Sequence, residues 1–173
     1  MTKLEKTTHV LLIAVCIVSL TVLVKHGLLN TSGPENDVDG FAKSLAGQSE
    51  ASVPVAVWKT QNLVLLLSSH CRFCDASVPL YQKLSALHRE RKSFSLLAVG
   101  GETPSSLLEY LHRNDIDVDS VLQVKSGFAG VGFTPAVFIV DSHGKIQKAF
   151  LGKLPSADEA RLLRLVSALK PIT

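Results

Sequence analysis

The chain has 173 residues, 46% of them hydrophobic and only 19% charged, which excludes disorder throughout its length. Eleven glycines and seven prolines exclude collagen-like or low-complexity character, and three cysteines are too few for a disulfide-stapled miniature fold. A net charge of +3 with no dense basic run gives nucleic-acid binding no electrostatic support.

The mean hydropathy of +0.27 asks where the apolar excess lies. Part of it is N-terminal. After a short tail over residues 1–8, the stretch between Lys6 and Lys25 holds 18 residues without a formal charge. As a helix it would extend roughly 27 Å, about the thickness of a hydrocarbon core. Residues 9–29 therefore read as a transmembrane anchor, with a cleaved signal peptide as the competing reading. No small-residue cleavage site stands out, which favours the anchor. Lys3 and Lys6 before the uncharged stretch and Lys25 at its far end lean only slightly toward an inside N-terminus. Cys16 lies within the apolar run and reads as a small hydrophobe. Val15 stands where a lipoprotein signal would need a small residue. Residues 30–52 turn polar and read as a tether with a short helix over 41–45.

From residue 53 onward the signals alternate. Residues 53–59 and 63–68 have strand length and β-branched or apolar content, and the second run is apolar enough to be buried on both faces. Leu80, Leu84 and Leu87 give residues 74–92 helical spacing, with Pro79 expected to kink that helix. A third strand is expected over 94–99. Thr103 and Pro104 form a cap and first-position proline for a helix reaching about Asn114. Residues 136–140 and 145–151 flank the turn Asp141-Ser142-His143-Gly144 as a hairpin. Ser156 and Glu159 have capping-box spacing, followed by an apolar stripe at Leu162, Leu165, Val166 and Leu169. The order implies an α/β fold, a central mixed sheet flanked by helices, occupying residues 53–173.

The sharpest chemical signal is His70-Cys71-Arg72-Phe73-Cys74, placed where a buried strand gives way to a helix. Cys-x-x-Cys alone also serves as half of many zinc sites. At a helix start, unpaired N–H groups stabilise a thiolate at the first cysteine. Arg72 and a protonated His70 would add positive charge beside it. The second cysteine is placed to attack a mixed disulfide formed at the first. Cys71 is thus the expected nucleophile and Cys74 the resolving thiol, the pair alternating between dithiol and disulfide. A static Cys71–Cys74 disulfide is the plainer alternative, but so short a loop is a poor staple.

The Cys71–Cys74 pair, Pro79, and Phe133-Thr134-Pro135 before a strand together resemble the thioredoxin-like superfamily. The likeness covers roughly residues 53–170. The N-terminal anchor, the additional segment between Gly100 and Pro135 and the hairpin around Asp141-Gly144 make the chain most similar to membrane-anchored envelope proteins, including those of cytochrome c maturation. That resemblance implies a thioredoxin-like fold preceded by one transmembrane helix, and thiol–disulfide exchange without metal or organic cofactor. It makes Pro135 a cis-proline and assigns Thr134 and Pro135 to substrate docking. It also implies protein thiol and disulfide substrates, a membrane electron-donor protein as partner, and a periplasmic redox head on the bacterial cytoplasmic membrane. Thioredoxins usually have Trp before the first cysteine, Gly-Pro inside the motif and an acid in the strand below. Here His70, Arg72-Phe73 and the apolar Val64, Leu65 and Leu66 stand in those places.

Two alternatives keep the fold and change the chemistry. A copper chaperone would use the cysteines with a distant histidine, and a peroxidase of peroxiredoxin type would need threonine where Ser68 stands. Gly100-Gly101 lacks a phosphate-loop pattern. Trp58 reads as packing, and His88, His112 and His143 as exposed residues.

Overall fold

The computed structural model of the chain describes residues 35–48 and 53–169. The expected tail, the anchor over residues 9–29 and Cys16 lie outside the described residues. Among the described residues no helix is long and apolar enough to cross a membrane. Contacts divide the chain into one unit ending at Asp37 and a second beginning at Val38, and the sheet belongs to the second.

That sheet has five strands: β1 (Gln61–Leu66), β2 (Ser95–Gly100), β3 (Ser120–Gln123), β4 (Ala136–Asp141) and β5 (Ile146–Leu151), in the order β3-β2-β1-β4-β5. Strands β1, β2 and β3 run parallel, while β4 pairs antiparallel with both β1 and β5. Among the described residues five α-helices accompany them: α1 (Glu35–Leu45), α2 (Arg72–Asp75), α3 (Val78–Arg91), α4 (Pro104–Arg113) and α5 (Ser156–Ser167). The mixed α/β sheet expected from sequence is present.

Alternation within the strands divides the interior in two. Leu63, Leu65 and Leu67 point into a core shared with Leu84 of α3, Leu111 of α4 and Leu162 of α5. Val64 and Leu66 point the other way, toward Phe128, Phe138, Trp58 and Leu45. β1 is therefore buried on both faces, which is why its sequence shows no polar alternation.

Several local expectations change. Residues 53–59 form no strand: the Pro54 carbonyl accepts from Val57 N–H at 3.0 Å, turning Val55–Val57 into a 3-10 helix. The Asn62 side chain then closes a turn onto Lys59, accepting from its N–H and donating to its carbonyl, each at 2.8 Å. Trp58 packs edge-on against Phe128, with 6.3 Å between ring centres, as a core residue.

The helix over 74–92 is broken rather than kinked. It divides into α2 and α3, and Pro79 occupies the first turn of α3, where a missing N–H removes no hydrogen bond. Ser156 does not cap α5. Pro155 is the capping residue, and its carbonyl accepts from the N–H groups of Asp158 and Glu159 at 3.0 Å. Thr103 caps α4 as expected, its hydroxyl accepting from Ser106 N–H at 3.4 Å.

The tether reading fails over residues 35–48. α1 is longer than the short helix expected over 41–45, and its Leu45 is buried in the second core. Gly47 N–H donates to the Ile146 carbonyl at 2.7 Å, and Ile146 N–H donates back to Gln48 at 2.8 Å. Polar composition concealed one apolar anchor residue and a pair of backbone bonds to β5. Strand β3, which the sequence reading passed over, extends the sheet inside the segment between Gly100 and Pro135.

Candidate active site

β1 is the central strand, with its parallel partner on one side and its antiparallel partner on the other. A site beyond the carboxyl end of such a strand is open to groups from several elements. The two cysteines lie there. Both are free thiols, Cys71 partly exposed and Cys74 buried.

Cys71 is the capping residue of α2, in extended backbone conformation. Its sulfur accepts from Cys74 N–H at 3.3 Å, and as a thiol it donates to the Thr134 carbonyl at 3.5 Å. Its own carbonyl accepts from Cys74 N–H at 2.9 Å and Asp75 N–H at 3.1 Å. Burial pushes the Cys71 thiol up, but hydrogen bonds with the Cys74 and Thr134 side chains and with the Cys74 and Phe73 backbone outweigh it and hold the group below an ordinary thiol. Cys74 behaves oppositely. Burial, followed by its hydrogen bond to Cys71, pushes it up to about 12. One sulfur is thus accessible and easily ionised, and the other is enclosed and protonated.

Thr134 and Pro135 meet this pair from the loop before β4. The Thr134–Pro135 peptide bond is cis, and Thr134 presents its carbonyl to Cys71. Pro135 is buried and fixed from behind, its carbonyl accepting from Gly152 N–H at 2.8 Å. Phe73 and Phe133, both close to half exposed, are neighbours in sequence of the two segments that meet at Cys71.

The two residues expected to tune the thiolate are placed differently from one another. The Arg72 guanidinium lies over the Phe73 ring, 4.7 Å from its centre. His70 is 85% exposed, with Nδ1 at 3.9 Å from Glu102 and 3.0 Å from the Ser69 hydroxyl.

Glu102 was not singled out from the sequence. It follows β2, and its Oε1 accepts from Ser69 N–H at 2.7 Å while Oε2 accepts from the Ser69 hydroxyl at 2.5 Å. The Ser106 hydroxyl adds a third bond at 2.8 Å. Burial raises the Glu102 carboxyl, but the bonds from Ser69 and Ser106 outweigh it and hold it below the usual carboxylate range. The available signal was topological: parallel neighbours β1 and β2 bring their following residues to the same end of the sheet. Below the dithiol, Tyr81 and Tyr110 are buried with hydroxyls that make no hydrogen bond of normal geometry. Burial pushes both phenols up, and the Asp75 carboxylate near Tyr110 adds to its shift.

His88 departs from its expected exposure. Nδ1 lies 3.0 Å from the Phe94 carbonyl and Nε2 lies 3.1 Å from Asp119, joining the end of α3 to the entry of β2. A cavity of about 790 Å³ lined by His88, Arg89, Lys92 and Asp119 opens at that amino-terminal end of β2, and neither cysteine lines it. Among the described residues, no group of three or more His, Cys, Asp and Glu side chains gathers where it could hold a metal ion.

No protein-family model and no curated relative matches the sequence. Solved structures do. A thiol:disulfide interchange protein from a Bacteroides species is similar over 71% of this chain and 86% of its own, with a TM-score of 0.51 and 15% identity. A thio-disulfide isomerase from Thermus thermophilus is similar over 71% of this chain and 97% of its own, with a TM-score of 0.50 and 20% identity. A secreted disulfide oxidoreductase from Mycobacterium tuberculosis is similar over 73% of this chain and 98% of its own, with a TM-score of 0.50 and 14% identity. The fold is thioredoxin-like.

Proposed function

We propose that this protein is a membrane-tethered thiol–disulfide oxidoreductase that exchanges disulfides with protein cysteines outside the cytoplasm. The observation that carries the proposal is the inequality of the two thiols at the carboxyl end of β1: Cys71 accessible and held low, Cys74 enclosed and held high. The names of the three structural neighbours described above, each a thiol–disulfide protein, point the same way.

The chemistry follows from that inequality. The Cys71 thiolate attacks one sulfur of a substrate disulfide. The substrate S–S bond breaks, a mixed disulfide forms, and the other substrate sulfur leaves as a thiolate. Cys74 then gives up its proton and attacks Cys71, releasing the second substrate thiolate and closing the Cys71–Cys74 disulfide. Two electrons pass from the dithiol to the substrate, and the reverse sequence oxidises a substrate dithiol. Thr134 and Pro135 would receive the extended substrate segment beside Cys71.

The apolar run over residues 9–29 supports the tether, a single span that would hold the redox domain on the periplasmic face of a bacterial cytoplasmic membrane. A membrane electron donor then fits as the partner that re-reduces the Cys71–Cys74 disulfide. Insulin reduction and dithiol oxidation test the central reading. Cys71→Ser should abolish both, and Cys74→Ser should accumulate a mixed disulfide with substrate. Wild-type rates in both variants would refute it.

A further inference from the structure

We propose that Glu102 is a positioning residue for Cys71: its carboxylate grips the chain at Ser69, two residues before the nucleophile, and places a fixed negative charge near that end of the loop. The inference rests on the oxidoreductase reading above and deepens it by naming what sets the poise of the dithiol.

Backbone pairing between β1 and β2 ends just before the site. The last bond runs from Leu67 N–H to the Val99 carbonyl at 3.0 Å. Beyond it the strands part, β1 into the dithiol loop and β2 into α4. Glu102 bridges the gap with a side chain, taking both the N–H and the hydroxyl of Ser69 on its two oxygens, at 2.7 and 2.5 Å. Ser106, in the first turn of α4, fixes the same carboxylate at 2.8 Å. The loop leading to Cys71 is therefore tied to a second element at the point where ladder bonds no longer hold it. Its internal bonds are weaker by comparison: Cys71 N–H reaches the Ser68 carbonyl at 3.3 Å and His70 N–H reaches the Ser68 hydroxyl at 3.3 Å.

The charge has a separate consequence. Among the described residues, the ion-pair partner of Glu102 within 4.0 Å is His70, itself largely in solvent. Neither lysine nor arginine neutralises the carboxylate at that range. Other titratable or charged groups around the dithiol are Cys74, Tyr81, Tyr110 and Asp75 from the helices, with Arg72 beside it in sequence. One residue, His70, separates Ser69 from Cys71, so chain reach keeps the carboxylate within roughly 14 Å of the reacting sulfur. At that range a negative charge opposes thiolate formation, and a less stable thiolate makes the pair more reducing. Glu102 thus holds the loop and biases the dithiol toward giving up electrons.

Three variants of the full chain separate the two effects. The readouts are the pH dependence of Cys71 alkylation, followed by mass spectrometry of its peptide, and equilibration with glutathione. Glu102→Gln keeps the shape and removes the charge. The alkylation midpoint should fall by about half a pH unit, and the equilibrium should move about threefold toward the dithiol at pH values above that midpoint. Ser69→Ala keeps the charge and loses one hydroxyl bond. It should lower the melting temperature while leaving the midpoint within about 0.2 unit of wild type. Glu102→Asp, which retains the charge, should likewise leave the midpoint near wild type. An unmoved midpoint in Glu102→Gln, or equal movement in Gln and Asp variants, overturns the proposal. Insulin reduction by the wild type is read in parallel: an inactive wild type overturns the oxidoreductase reading, whereas an active wild type with an unmoved Gln variant overturns this one alone.

Discussion

At the residue scale, two cysteines three positions apart in sequence acquire opposite properties from their surroundings. Cys71 accepts N–H from the turn it caps, while Cys74 lies in the core against Leu80 and Tyr81 and is pushed up to about 12. Mass-resolved labelling with iodoacetamide at neutral pH should therefore modify Cys71 well before Cys74, by tenfold or more in rate on thiolate population and access. Equal labelling of the two peptides would contradict the assignment. The signs with respect to stability are also opposite. The lowered Cys71 thiol stabilises the fold above the ordinary thiol value and loses that contribution as pH falls through its folded value. The raised Cys74 thiol contributes below the ordinary value and loses its contribution as pH rises toward about 12. The dithiol was legible in the sequence because both sulfurs and the helix start lie within one short motif. Glu102 was not, since its bonds to Ser69 cross 33 positions and leave no periodic mark. Arg72 was legible as a charge but not as a ring-stacked one, because side-chain direction in a four-residue helix depends on the neighbouring Phe73 ring.

At the scale of elements, the helix that carries Cys74 is short because Ser77 spends its hydroxyl on the Phe73 carbonyl at 2.8 Å instead of continuing a longer helix. α3 then starts afresh with Pro79 in its first turn. Proline in a periodic apolar pattern has two readings, kink or restart, and the pattern alone does not choose between them. The same ambiguity explains Ser156, where a cap-like spacing falls one residue inside the helix already started by Pro155. Gly100 marks a tighter constraint. At the end of β2, a Cβ built there would meet the Leu67 carbonyl oxygen at 2.7 Å and a Leu107 methyl at 3.1 Å. The obstacle on one side is backbone of β1's extension, which cannot swing aside without moving the dithiol loop. Gly100→Ala should cost about 1–3 kcal/mol, read as a lower urea midpoint, and should slow insulin reduction as well. A variant with wild-type midpoint and rate would mean that β2 and α4 yield freely. In sequence this glycine stood out only as half of a Gly100-Gly101 pair without a phosphate-loop pattern, because close approach of two strands is a property of the packed sheet.

At the scale of the whole molecule, the apolar excess has more than one place to go. Residues 9–29 take up a share in sequence, and the doubly buried strands β1, β2 and β4 take up another. The two faces of the sheet are covered unequally. Helices α3, α4 and α5 contribute to the first core, whereas the second is closed by irregular chain around Trp58 and Phe128 together with Leu45 of α1. The periodicity of α3 and α5 made the first cover legible. The second was obscured because its main contributors are single residues in polar or turn-rich surroundings. This asymmetry sets where the folded domain must begin. Leu45 is buried on a helix with few other apolar residues, and Gly47 and Gln48 continue from it into backbone bonds with Ile146 at 2.7 and 2.8 Å. Leu45→Ala should destabilise the fold by about 2–5 kcal/mol, at the cost of a buried leucine whose neighbours cannot close the gap. A chain begun at residue 53 should lose both the side chain and the two bonds, and so unfold at lower urea than one begun at residue 35. Coincident urea curves for those two chains would restore residues 30–52 to the role of a mere tether. The expected separation instead makes α1 the cover of the second core, placing the start of the folded domain within the polar segment.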